Sequence, residues 1–92
     1  MVIENHIVDV EVPGPGLYEI TGDLNERLKA LQIESGLMTL FIQHTSASLL
    51  IQENADPSAK RDLEVWLNRL VPENDIIYSH VAEGADDMPA HI

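Results

Sequence analysis

The segment LMTLFIQ, residues 37–43, limits the fold more than any other stretch of the chain. Alternate residues of a strand point to opposite faces. Here Leu37 and Phe41 fall on one parity and Met38, Leu40 and Ile42 on the other, so neither face suits water. The segment reads as a buried strand, apolar on both faces, that needs cover on each. Cover is scarce in a chain of 92 residues, because a domain of that size buries only about 60–65% of the surface its unfolded form exposes. An oligomer or a metal ion is the expected source of further stability.

Shorter signals place the other elements. In residues 6–12, Ile7, Val8, Val10 and Val12 nearly alternate with polar residues, as in a half-buried strand. PGPG at 13–16 breaks that run, and residues 17–20 are long enough for a second short strand. Asp23 followed by Glu26 marks a helix start, and Leu24, Leu28 and Leu31 share one face of the helix that follows. Gly36 ends it. Residues 48–52 read as another strand, after which Asp56 is a helix N-cap and Pro57 a first helical residue with no amide to waste. Leu63, Trp66, Leu67 and Leu70 repeat at helical spacing up to a stop at residues 71–75. Residues 76–78 complete the strands, and residues 79–92, with Gly84, Pro89 and two histidines, read as an irregular loop. The order β-β-α-β-β-α-β predicts an α+β fold, a mixed or antiparallel sheet with two helices packed on one side, in a single domain over residues 1–92.

Charge narrows the function. Sixteen acids against five bases give a net charge of −11, which opposes nucleic-acid backbones and anionic membranes as partners. No apolar run approaches the ~18 residues of a membrane span. The N-terminal residues carry no export signal, so a cytoplasmic location is expected. With no cysteine in the chain, thiolate chemistry and disulfides are excluded together.

Histidines remain the main carriers of chemistry. His44, His80 and His91 fall at strand ends or in the last loop, and three imidazoles with an open fourth position make a catalytic type of divalent-metal site. Asp86 and Asp87 are placed to orient an imidazole through its second nitrogen. The spacing matches no local metal motif, and isolated histidines are more often structural, as His6 in the first strand is expected to be. Thr45, Ser46 and Ser48 lack the strained elbow of a serine nucleophile; they serve either as donors to a phosphate or as turn partners. There is no glycine-rich phosphate cradle.

HTSASLLIQENADPSAKRDLEVWL at 44–67 and YSHVAEGADDMPAHI at 78–92 closely resemble the YjbQ family of secondary thiamine-phosphate synthases. The resemblance implies a homotrimer with a site near the subunit boundary. It implies a divalent metal, zinc or magnesium, on His44, His80 and His91. It points to Thr45, Ser46, Asn54 and Gly84 as substrate-binding residues and to Glu53, Asp56, Asp86 and Ser46 as catalytic ones. The implied reaction couples an aminopyrimidine pyrophosphate to a thiazole phosphate and releases pyrophosphate, so a phosphorylated small molecule is the expected partner. Family members continue beyond the AHI motif with further strands, and that departure keeps two alternatives open: a non-catalytic trimeric module that binds a metal or phosphate ligand, or a metal-dependent phosphohydrolase.

Overall fold

The computed structural model describes residues 1–92 as three helices joined by segments without regular secondary structure: α1 (Thr21–Leu31), α2 (Pro57–Leu70) and α3 (Asp87–His91). The expected α+β sheet is not formed, and no strand is present. A sheet exists only where the amides and carbonyls of one strand meet those of a neighbour. The chain makes 29 backbone–backbone hydrogen bonds, 19 of them inside the helices, and the remainder close turns, caps and one link from the Asn74 amide to the Ala85 carbonyl at 3.4 Å. A folded chain of this length makes about 60. The apolar patterns in 7–12, 37–43 and 48–52 identified surfaces in need of cover, but nothing in the chain lies alongside them as a strand.

α2 follows its local signals. Asp56 Oδ1 accepts from the Ser58 amide at 2.8 Å and from the Ser58 hydroxyl at 2.6 Å. The two hydrogen bonds from Ser58, the hydroxyl's first and the amide's second, hold the Asp56 carboxyl below its ordinary value of 3.8. Because the folded-state value is depressed, the cap's contribution is complete above the unfolded value and disappears as pH falls through the folded one. Asp56→Ala is therefore expected to reduce helix content, read by circular dichroism at neutral pH, and the difference from the parent should vanish in acid.

α1 starts three residues earlier than the Asp23/Glu26 pair implied. Ile20 occupies the cap position with no side-chain cap bond, leaving Asp23 in the first turn, where a negative charge suits the helix dipole. The helix stops at Gln32, in the left-handed region at φ 55°, before Gly36 is reached. α3 lies in the stretch expected to be irregular.

No residue is buried. Leu24, Leu28 and Leu31 are half-covered, as is Leu63 on α2, whereas Leu37 is 96% and Phe41 82% exposed. The accessible surface is 8519 Å², against about 5,300 Å² for a folded monomer of this mass. The radius of gyration is 17.0 Å, against about 12 Å for a compact domain of this length. The excess of about 3,000 Å² is larger than the ~1,600 Å² that a standard protein interface buries. No helix is long and apolar enough to cross a membrane.

Candidate functional site

Four donors converge at the C-terminal end of the described chain. His80, Glu83, Asp87 and His91 each offer one ligand atom, and these atoms all lie within 4.8 Å of one another. The local backbone explains the convergence. Asp87 and His91 are four apart on α3 and so share a face. Before α3, a turn closed by the Gly84 amide on the Val81 carbonyl at 3.3 Å folds the chain back, with Gly84 at φ +115°, where only glycine is unstrained. That reversal brings His80 and Glu83 to the helix. The Tyr78 hydroxyl donates to the Pro72 carbonyl at 2.9 Å and anchors the approach to the turn.

Asp87 is the centre of the group. Its Oδ2 lies 3.0 Å from His80 Nε2 and 3.2 Å from His91 Nε2, while His80 Nε2 is 3.3 Å from Glu83 Oε2. The two imidazoles meet edge to face, with centroids 5.4 Å apart. Ligand atoms at about 2.05 Å from a tetrahedral ion stand about 3.3 Å apart, so these three separations match edges of such a shell. Asp87 Oδ2 is out of contact with solvent and has no hydrogen-bond partner; neither imidazole contact has hydrogen-bond geometry. A shielded carboxylate oxygen between two ring nitrogens is satisfied either by a protonated imidazole or by a cation at the centre. The donor types suit a divalent ion, and the wider separations in the cluster, up to 4.8 Å, would close on binding one.

The expected site residues divide. His80 and His91 come together, whereas His44 is not among the clustered donors; its Nδ1 accepts from the Ser46 amide at 3.0 Å across an exposed turn at Thr45 and Ser46. Glu53 and Asp56 also stand outside the cluster, Asp56 serving as the cap of α2. Asn54 is half-covered. Asp86 precedes α3 without making a side-chain cap bond, and Gly84 acts through its backbone conformation. His6 pairs with Glu4 at 3.5 Å. Glu83 is not among the residues the sequence pointed to, and Asp87, expected behind an imidazole, lies among the clustered donors themselves. The D-x-x-x-H spacing of Asp87 and His91 carried the signal for the second of these, hidden by reading the segment as irregular.

A separate open cleft, lined by Val8, Asp9, Asp23, Glu26, Arg27 and Ala30, contains none of these groups.

Similarity to known proteins covers nearly the whole chain. The family profile described as UPF0047 protein YjbQ-like matches residues 7–92. The UPF0047 protein sll1880 of Synechocystis is 43% identical over 86 residues, which is 94% of this chain and 58% of that protein. The UPF0047 protein YjbQ of Salmonella typhimurium is 45% identical over 78 residues, 84% of this chain and 56% of its own length. The UPF0047 protein MJ1081 of Methanocaldococcus jannaschii is 36% identical over 76 residues, 83% and 52% of the two chains. The chain thus spans a little over half the length of these curated relatives. No solved structure matches it.

Proposed function

The chain belongs to the YjbQ-like UPF0047 family, and from that premise we propose that it is a divalent-metal-dependent protein of thiamine-phosphate-synthase type. In this reading it couples an aminopyrimidine pyrophosphate to a thiazole phosphate and releases pyrophosphate. The observation that supports it is the shielded, unpartnered Asp87 Oδ2 between His80 and His91. Two imidazoles favour zinc over magnesium, which prefers oxygen ligands.

A divalent ion supplies charge neutralisation for the leaving pyrophosphate. The chain's own residues do the rest. His80, Glu83, Asp87 and His91 would hold the ion, and Asp86, next to them in sequence, is the acid–base candidate. The Thr45 and Ser46 hydroxyls and the Asn54 amide are the groups that would bind phosphate oxygens, and Glu53 is a second acid–base candidate. In this reading the protein works as a cytoplasmic homotrimer. The surface left uncovered by one copy, about 3,000 Å² beyond that of a compact monomer, supports assembly.

The test is pyrophosphate release from the two precursors, with zinc supplied and then withdrawn by a chelator. Zinc-dependent release is the expected result; the absence of release by the zinc-loaded chain overturns the proposal.

A further inference from the structure

We propose that Glu83 is the exchangeable member of the donor set: its carboxylate holds the position on the ion that a phosphate oxygen of the substrate takes over. This rests on the metal reading above and goes further by assigning the incoming ligand its place.

The four donors are not equivalent. Asp87 contacts both imidazoles and its side chain is 24% exposed, whereas the Glu83 side chain is 65% exposed and reaches His80 alone. Asp87 and His91 are fixed by α3. Glu83 stands on the turn just before Gly84, whose φ of +115° leaves the link to the helix without a side chain to restrain it. Losing Glu83 from the shell breaks one contact at the solvent edge; losing Asp87 breaks the centre.

Charge makes the exchange necessary. After Arg69 the sequence has no lysine or arginine, while Glu73, Asp75, Glu83, Asp86 and Asp87 are all acids. Residues 70–92 themselves offer a phosphate no lysine or arginine, so within this segment the ion would be its main attraction. Two carboxylates already balance a divalent charge. Adding a phosphate dianion to that neutral shell creates an excess of two negative charges beside further acids, in a chain of net charge −11. If Glu83 withdraws as the phosphate oxygen enters, one coordinate bond breaks, one forms, and one negative charge leaves the shell for solvent. A four-donor resting site becomes a three-donor site with an open position, as catalytic metals require.

The experiment uses the full chain loaded with Co²⁺, whose visible absorption reports its coordination, and titrates it with inorganic phosphate. The parent is expected to bind one Co²⁺ and to change spectrum as phosphate enters. Glu83→Gln is expected to keep the ion with affinity reduced no more than about tenfold, while phosphate binds about tenfold more tightly because no charged arm must be displaced. Loss of Co²⁺ from Glu83→Gln as complete as from Asp87→Asn, or phosphate affinity that does not rise, overturns the exchange. Circular dichroism of Glu83→Gln matching the parent separates either result from misfolding. A parent chain that binds no Co²⁺ overturns the metal reading itself, whereas a parent that binds Co²⁺ without a phosphate response overturns the exchange alone.

Discussion

Asp87→Asn is expected to lower the affinity of the chain for Zn²⁺ by about 100-fold or more, measured by competition with a chromophoric chelator. Asp87 Oδ2 is the one atom in contact with both imidazoles. Asparagine keeps the size of the side chain and removes its charge, so the ion loses its principal counter-charge while the helix remains intact. The same shielding that strengthens a carboxylate's attraction for a cation leaves a neutral amide with little to offer. His44→Ala in the same assay should keep the ion, because His44 stands apart from the four donors. Affinity that survives Asp87→Asn but disappears in His44→Ala would instead place the ion on the three histidines His44, His80 and His91.

If the proposed homotrimer forms, Phe41→Asp is expected to shift it to monomer in native mass spectrometry, with association weakened by at least about 100-fold. Phe41 and Leu37 are almost fully exposed in a single copy, and residues 36–52 contain no Asp, Glu, Lys or Arg. Elsewhere sixteen acids make one copy repel another. The neutral apolar band is where like-charged copies can approach, and a carboxylate in it combines desolvation with that repulsion. A trimer that tolerates Phe41→Asp would mean that assembly uses another surface. The outcome also bears on residues 44–46, since they lie within the same uncharged band.

The features legible in the sequence are those settled over a few residues. Asp56 and Pro57 announced α2 because the cap bonds span only two positions, and the leucines at 24, 28 and 31 marked the face of α1 without help from the rest of the chain. α3 was missed because Pro89 looked like a breaker. It sits in the first turn, where backbone amides have no helical partner, so its missing N–H removes no hydrogen bond. The strands were misread for a different reason. Residues 37–43 state that both faces are apolar, but a side-chain pattern does not supply the neighbouring backbone that would turn such a segment into a sheet. Of the site, His80 and His91 were legible as residue types. Their meeting was not, because it depends on the positive φ of Gly84 and on a helix that had not been recognised.

The four donors span only residues 80–91. Binding there ties a loop of a dozen residues, and the entropy lost on closing a loop grows with its length. On the metal reading proposed above, the site asks little of the rest of the polypeptide, because all four donors come from one short segment of a single copy. In the proposed homotrimer, uptake of the ion would then not have to wait for one copy to meet another.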